Sequence, residues 1–283
     1  MKRAIAFTDF GVWQKGEDMD FSKFKNDAQR WRTGLILFAI VVAAGIFHSK
    51  WLIGGFLTIV FIAASKEALT LFGYEKNLGL WLATIVVWIV AIFYPRPIEA
   101  VVLAILIAAS IVAFDQKRDL KIALPLLYPA APLLFLFSLY VEFGIYSYVW
   151  LLAIVIACDA GAYYAGKTLG KTPFSPTSPG KTIEGVAGGI TAAAIFGMIA
   201  GFFMPERTIG DLSVSLGFWS ALLITVLCAI ASIFGDLFES FLKRKAGVKD
   251  SGNILPGHGG ALDRIDGYLF AGVVLLFGLR LAF

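Results

Sequence analysis

Apolar runs long enough to cross a lipid bilayer recur along the whole chain. A bilayer core about 30 Å thick takes about 20 apolar residues of α-helix. Nine apolar segments can be delimited, at about residues 33–47, 51–72, 78–95, 97–114, 122–141, 146–166, 186–204, 214–246 and 264–282. Apolar residues make up 59% of the 283 residues, against about 45–50% in soluble domains even with glycine counted. The sequence therefore predicts an all-α polytopic membrane protein with about nine transmembrane helices.

Basic residues are divided unevenly between the two sides that this topology defines. If the N-terminal tail lies inside and the segments alternate, nineteen of the 24 lysines and arginines lie in the tail or in loops on its side. Four lie on the opposite side, and Lys66 lies within the second segment. Cytoplasmic loops of membrane proteins have such an excess of lysine and arginine. We therefore expect a cytoplasmic N-terminus and cytoplasmic loops at residues 167–184 and 243–264.

Residues with an assignable chemistry are concentrated in the second half of the chain. Residues 33–142 contain few ionisable groups within their apolar segments and no motif that predicts chemistry. Residues 143–283 contain intramembrane aspartates, which are costly in a bilayer and usually functional. The predicted division is a cytoplasmic tail at residues 1–32, then a transmembrane scaffold at 33–142 and a catalytic transmembrane region at 143–283.

The eighth apolar segment ends in a polar stripe. Residues 214–246 read as one uninterrupted helix, which at about 1.5 Å per residue is longer than the bilayer core is thick. Four polar residues spaced i, i+3, i+4 and i+7 share one face of it: Asp236, Glu239, Ser240 and Lys243. The basic pair at its end, Lys243 with Arg244, is equally typical of a membrane helix whose long side chains reach towards water.

Two aspartates begin the last apolar segment. Asp263 and Asp266 are three residues apart and so share a face of its first turn. The helix dipole favours negative charge there, and capping would explain one of them. A divalent cation accounts for both, because Mg²⁺ binds carboxylates together with substrate phosphates. With Asp236 of the preceding segment, they are predicted to hold a metal ion between two helices.

Two loops offer candidate phosphate contacts. The run Pro256–Gly260 has three glycines in four positions, and glycine lets backbone N–H groups approach an anion closely. In the 167–184 loop, a Gly-Lys-Thr sequence at Lys181 suggests a Walker A motif, but Ser175 stands where that motif needs glycine. Lys181 is therefore predicted to contact a phosphate or lipid headgroup, or to act only as a topology signal. Asp159 is predicted to face the same cavity.

The polar run that follows the stripe resembles the signature of the phosphatidate cytidylyltransferase family. That signature reads S-x-x-K-R, four residues, K-D, then Pro-x-His-Gly-Gly and D-R-x-D. The matching residues are Ser240, Lys243, Arg244, Lys249, Asp250, Pro256, His258, Gly259, Gly260, Asp263, Arg264 and Asp266. Upstream matches are Gly235-Asp236-Leu237 with Glu239, Asp159-x-Gly161-x-Tyr163 and Ser178-Pro179-x-Lys181-Thr182-x-Glu184-Gly185. Ala261 departs from the larger aliphatic residue usual at its position.

The resemblance implies a membrane enzyme that joins CTP and phosphatidate into CDP-diacylglycerol and pyrophosphate. It also implies Mg²⁺ as cofactor, with a second, monovalent cation such as K⁺ beside it. Metal binding and catalysis would fall to Asp236, Asp263 and Asp266, with Lys243 and Arg244 as further catalytic residues. The substrate-binding candidates are Ser240, Lys249, Asp250, His258, Gly259, Gly260, Arg264, Asp159 and Lys181.

The chemistry of these substrates predicts where the site lies. The phosphate of phosphatidate is at headgroup depth and CTP is in the cytosol, so an active site at the cytoplasmic membrane interface is expected. We expect a protein of the bacterial inner membrane, whose partners are the two substrates and the bilayer, without nucleic acid. The sequence leaves a homodimer open.

Two alternatives remain open from the sequence. One is a CTP-using relative that acts on another lipid, such as a polyprenol kinase or an archaeal-type lipid cytidylyltransferase. The other is an ion-coupled transporter with intramembrane aspartates, which the lack of a visible internal repeat makes less favoured.

Overall fold

A computed structural model of the protein describes residues 43, 47, 49–115, 119–209, 212–254 and 259–283. Seven α-helices make up most of it: α1 (Lys50–Leu71), α2 (Leu78–Phe93), α3 (Pro97–Phe114), α4 (Ala131–Leu169), α5 (Ile183–Gly201), α6 (Phe218–Lys245) and α7 (Leu262–Ala282). A 3-10 turn (Leu120–Ala123) and a π-helical turn (Leu126–Ala130) lead into α4. The strands form two hairpins, β1 (Pro173–Ser175) with β2 (Ser178–Thr182) and β3 (Arg207–Ile209) with β4 (Leu212–Val214).

The structure is mostly helical, in agreement with the predicted all-α membrane protein. Within the described ranges, six stretches are long and apolar enough to cross a membrane: α1, α3, Leu120–Leu169, α5, α6 and α7. Helix α2 is apolar but has only 16 residues. Eight of the nine predicted segments thus coincide with described helix, and segment 33–47 lies almost wholly outside the described residues.

Helix α4 reverses direction near its middle. A straight helix of its 39 residues would be about 58 Å long. At Gly144, however, φ is 71°, a conformation that glycine adopts without steric cost. The Tyr148 hydroxyl donates to the carbonyl of Leu136 at 2.8 Å, although a straight helix would hold residues twelve apart at about 18 Å. The arms at residues 131–143 and 145–169 therefore lie against each other, as the fifth and sixth predicted segments require.

Small residues bring the second arm of α4 and helix α5 into close contact. One face of α5 buries a small residue at every fourth position: Gly185, Gly189, Ala193, Gly197 and Gly201. A β-carbon added at Gly189 would lie 2.7 Å from the carbonyl oxygen of Cys158. Membrane helices approach this closely only where their side chains are small. The packing places the start of α5, and with it the β1–β2 hairpin, beside the C-terminal end of α4.

Helix α6 is shorter than predicted at its start. Residues 212–214 pair in the β3–β4 hairpin, and the extended backbone of Gly217 separates that hairpin from the first turn at Phe218. The prediction of one uninterrupted helix from residue 214 is therefore wrong at this end. The sequence Leu212-Ser213-Val214 alternates apolar and polar residues, which suits a strand.

Helices α6 and α7 pack closely at their glycines. A β-carbon at Gly235 would lie 2.5 Å from the carbonyl oxygen of Asp266, and one at Gly267 would lie 2.7 Å from Ser232 Oγ. The close crossing brings the polar C-terminal end of α6 against the first turns of α7. The opposite end of the bundle is tied by an ion pair between Arg280 and Glu142.

Candidate active site

One end of the bundle collects most of the residues that the sequence singled out. It is formed by the C-terminal ends of α1, the second arm of α4 and α6, together with the N-terminal ends of α5 and α7. Antiparallel neighbouring helices place the end of one beside the start of the next. Polar residues that are widely separated in sequence therefore converge at this end. Four clusters of contacts define the site.

The first cluster is centred on Asp236. Its Oδ2 forms an ion pair with Lys181 Nζ at 2.6 Å, and its Oδ1 accepts a hydrogen bond from the Ser240 hydroxyl at 3.4 Å. Lys181 lies at the end of β2, so the ion pair ties the β1–β2 hairpin to α6. Asp159 on α4 is within electrostatic range of both Asp236 and Lys181. The structure thus brings all four of these predicted residues together.

Lys243 connects α6 to α7. Its Nζ lies 3.0 Å from Glu239 Oε2, one turn back on the same helix, and 2.6 Å from Asp263 Oδ1. The lysine and aspartate side chains are 13% and 11% exposed and that of the glutamate is fully buried, so water screens these charges little. Two contacts between residues one turn apart, Lys243 with Glu239 and Ser240 with Asp236, confirm the predicted polar stripe on α6.

Two carboxylates, those of Glu239 and Asp266, lie near each other and near Lys243. Asp236 is in electrostatic range of Asp266. Among the residues that the structure describes, none forms a hydrogen bond with the buried Glu239 Oε1. Two ionised carboxylates in contact repel each other unless a proton or cation lies between them. This pair therefore suits a site for a positive charge.

Asp263 organises the loop that precedes α7. Its Oδ2 accepts hydrogen bonds from the backbone N–H groups of Ser251 and Gly260, at 3.0 and 2.9 Å, and lies 3.0 Å from the Ser251 hydroxyl. Gly259 has a φ of 80°, a conformation that suits glycine. His258 lies outside the described residues. Asp263 thus has a structural role in this loop besides the metal binding predicted for it. These contacts lie before the helix and do not cap α7, the structural role that the sequence left open.

The remaining predicted residues are at the surface. Arg244, Lys249, Asp250 and Arg264 have exposed side chains. Exposure on the same end of the bundle leaves Arg244, Lys249 and Asp250 open to a soluble ligand. Their predicted roles in catalysis and substrate binding stay predictions.

Two residues of the N-terminal half belong to this end of the bundle and were missed. Glu67 of α1 accepts hydrogen bonds from the loop before α7 and from its first turn. Tyr128, which precedes α4, has a buried hydroxyl that lies within electrostatic range of the carboxylates of α6 and α7. No residue in the described part of the chain forms a hydrogen bond with it. A glutamate within the apolar segment 51–72 was a usable signal, since ionisable groups in spans are usually functional.

The carboxylates of the site are the type of ligand that a hard cation binds, but their positions are not those of a metal site. Within the described ranges, no three side chains among His, Cys, Asp and Glu are placed to hold a metal ion as they stand. The reason is visible at two of the predicted ligands: Asp236 pairs with Lys181, and Asp263 pairs with Lys243. Carboxylate oxygen is nevertheless the ligand that Mg²⁺ prefers, and Glu239 Oε1 beside Asp266 is unpartnered. The donor set fits magnesium, and two ammonium groups now neutralise part of it.

The chain is similar to known cytidylyltransferases over most of its length. The profile of the cytidylyltransferase family matches residues 28–282. A phosphatidate cytidylyltransferase of Helicobacter pylori strain 26695 is 41% identical over 255 residues, which cover 88% of this chain and 90% of the relative. The protein of that name from strain J99 is 41% identical over 264 residues, covering 90% and 94%. One from Bacillus subtilis is 44% identical over 146 residues, about half of each chain. This chain therefore belongs to the cytidylyltransferase family.

Proposed function

We propose that this protein is a phosphatidate cytidylyltransferase, which converts CTP and phosphatidate into CDP-diacylglycerol and pyrophosphate. The observation that supports this most strongly is the 41% identity to proteins of that name over about nine-tenths of the chain. The polar end of the bundle supports it independently. A membrane protein with clustered lysines and carboxylates suits two polyanionic substrates, one of which is a lipid.

The reaction requires charge neutralisation more than proton transfer. A phosphate oxygen of phosphatidate attacks the α-phosphorus of CTP, a P–O bond forms, and the bond to the β-phosphate oxygen breaks as pyrophosphate leaves. The attacking oxygen is already anionic at neutral pH, so no strong general base is needed. Catalysis then rests on holding both phosphates in line and stabilising the developing charge. Lys181, Lys243, Arg244 and Lys249 are the cations that we assign to this task.

We propose Asp236 and Asp266 as ligands of Mg²⁺, with Asp263 Oδ1 as the third. The Oδ1 of Asp263 has one described contact and keeps a lone pair, whereas its Oδ2 faces three donors. When bound, Mg²⁺ would neutralise and orient the phosphates of CTP. The unpartnered Glu239 Oε1 supports a cation here, and a second, monovalent cation such as K⁺ is proposed for the same carboxylates.

The other predicted residues are proposed as substrate contacts. The exposed ones would meet CTP from the aqueous side, and those of the inner cluster would meet the lipid phosphate. The proposed set is Ser240, Lys249, Asp250, His258, Gly259, Gly260, Arg264, Asp159 and Lys181.

We also propose nine membrane crossings with the site on the cytoplasmic side. Glu67 near the C-terminal end of α1 contacts the start of α7, which requires an even number of crossings between them. Helices α2 and α3, the two arms of α4, and helices α5 and α6 provide six. The predicted segment 33–47 would add the first crossing. The excess of basic residues at this end supports a cytoplasmic orientation, in a bacterial inner membrane and with a homodimer as the assembly to test first.

One assay tests the proposed function. Purified protein in detergent with phosphatidate, CTP and Mg²⁺ should yield CDP-diacylglycerol and pyrophosphate in equal amounts. A phosphorylated lipid together with CDP would instead indicate a lipid kinase. CDP-lipid formation from another lipid phosphate, but not from phosphatidate, would indicate a different cytidylyltransferase. Substrate uptake into proteoliposomes without CTP turnover would favour a transporter.

Tyr128→Phe should lower turnover without lowering stability. The Tyr128 hydroxyl is buried and has no hydrogen-bond partner among the described residues, and its ring packs edge-on against Phe238 with centroids 5.2 Å apart. Deleting an unpaired hydroxyl costs the substrate-free protein no hydrogen bond. A hydrogen bond to a charged phosphate is worth about 1.5–3 kcal/mol, so we expect turnover to fall about tenfold or more.

The measurement is turnover together with the melting temperature, with Tyr164→Phe as the matched control because that tyrosine is exposed. Unchanged turnover in Tyr128→Phe would show that the hydroxyl does not meet a substrate.

A further inference from the structure

Glu67 is an acidic residue buried within an apolar membrane helix. It lies one turn before the end of α1, and the residue is 4% exposed. A carboxylate in such a place is costly unless its lone pairs are satisfied. Its partners come from the other half of the chain, 184 to 195 residues further along.

Those partners are the groups that begin α7. Glu67 Oε1 accepts from the backbone N–H of Ala261 at 2.9 Å, and Oε2 accepts from that of Leu262 at 2.9 Å. The first N–H groups of a helix have no partner within it, and a carboxylate there also interacts favourably with the helix dipole. Ala261, at the N-cap, offers no side-chain cap of its own. Glu67 therefore caps α7 from a different helix.

The same carboxylate is linked to the active-site lysine through Ser251. The Ser251 hydroxyl lies 2.9 Å from Glu67 Oε2 and 3.0 Å from Asp263 Oδ2, and it donates to one of them at a time. Asp263 binds Lys243 through its other oxygen at 2.6 Å. A continuous set of contacts thus runs from α1 to the end of α6.

The loop before α7 is shaped around this carboxylate. A β-carbon added at Gly252 would lie 2.5 Å from Glu67 Oε1, and one added at Gly260 would lie 2.6 Å from Oε2. Glycine at these positions lets the backbone close over the side chain, and Ser251, which precedes Gly252, is itself buried. Glu67 therefore fits into the loop closely instead of lying at its edge.

We propose that Glu67 is a positioning residue for the cytidylyltransferase reaction: from α1 it fixes the start of α7 and, through Ser251, holds Asp263 against Lys243. This inference rests on the proposed function. On this proposal α1 is part of the active site. Glu67 does not contact the substrates, and it acts through residues that do.

Glu67→Gln tests the proposal. Glutamine keeps one acceptor oxygen, but its NH₂ group would face N–H or hydroxyl donors that now bond to a carboxylate oxygen. A displacement of about 1 Å at a catalytic group can cost about 100-fold in rate. We expect kcat per folded molecule to fall by that factor, and the half-saturating Mg²⁺ concentration to rise because Asp263 is released. Amide exchange at Ala261 and Leu262 should accelerate in the substrate-free protein. Glu75→Gln, the same change at an exposed position near the end of α1, should behave as wild type.

Ser251→Ala separates positioning from folding. It removes only the hydroxyl between the two carboxylates, and we expect kcat to fall about tenfold. Because both changes break one network, Glu67→Gln/Ser251→Ala should lose less activity than the product of the single losses. If Glu67→Gln does not fold, judged by gel filtration and melting temperature, Ser251→Ala decides alone.

The proposal is overturned if folded Glu67→Gln loses less than about tenfold, or if only the amount of active protein falls while the Mg²⁺ requirement and amide exchange are unchanged. Wild-type activity in Ser251→Ala would equally overturn it. A wild-type protein that makes no CDP-diacylglycerol would refute the proposed function instead, so the two failures are distinguishable.

Discussion

Replacing Asp236 with asparagine should lower CDP-diacylglycerol formation by about 1,000-fold or more while leaving the protein folded in the membrane. The substitution preserves side-chain shape and removes one negative charge. Asp236 contacts Lys181 and Ser240. Its charge also acts on the carboxyl groups of Asp159 and Asp266. An uncharged amide can neither balance the lysine nor bind Mg²⁺ as a carboxylate does, so both proposed roles are lost together.

The measurement is turnover per folded molecule across a wide range of Mg²⁺ concentration. Asp119→Asn is the matched control, since Asp119 is exposed and caps a 3-10 turn through a contact that asparagine can also make. Asp266→Asn should fail as severely as Asp236→Asn. Near wild-type turnover in either variant would contradict the proposed metal site, and activity recovered at high Mg²⁺ would show that the ligand only tunes affinity.

Local patterns predicted the helices well, because a membrane span is specified by its own composition. Helix α3 begins and ends where the fourth apolar segment does, at Pro97 and Phe114. The start of α6 was predicted too early, at residue 214, because Val214 and Leu216 are apolar enough to extend a helix, whereas Val214 pairs in a strand. Composition over a few residues does not decide between these two ways of satisfying the backbone.

The contacts within the site were predictable only where they are local. Spacing along one helix predicts that Glu239 and Lys243 face the same way, and their 3.0 Å contact follows from it. The pairing of Lys243 with Asp263 across two helices depends on the close crossing at Gly235. Without the geometry of that crossing, the sequence indicated two polar segments near each other but not which side chains pair.

Long-range contacts explain the residues that the sequence analysis missed. Glu67 lies in the part of the chain predicted as scaffold, and its partner Ser251 is 184 residues away. Nothing in the neighbourhood of either residue predicts the other. Tyr128 is similar, since its importance arises from the carboxylates that the fold places near its hydroxyl.

Lys243→Met should reduce both stability and turnover, a larger effect than the loss of a substrate contact alone. Methionine replaces the apolar stem but leaves Glu239 and Asp263 without their shared cation. Removing one partner of a buried ion pair costs about 3–5 kcal/mol, and Lys243 and its partners are buried or nearly so. We therefore expect a clear drop in melting temperature together with a fall in kcat.

A second substitution separates the two effects of Lys243→Met. In Glu239→Gln/Lys243→Met the buried glutamate charge is removed as well, so part of the lost stability should return, because replacing both partners of a buried pair costs less than breaking it. Turnover should stay low, since the lysine proposed to bind the substrate phosphates is still missing. Lys245→Met, an exposed position two residues along α6, is the control for loss of charge. If Lys243→Met melts like wild type and raises only the KM for CTP, Lys243 is a substrate contact and its ion pairs with Glu239 and Asp263 do not hold the site together.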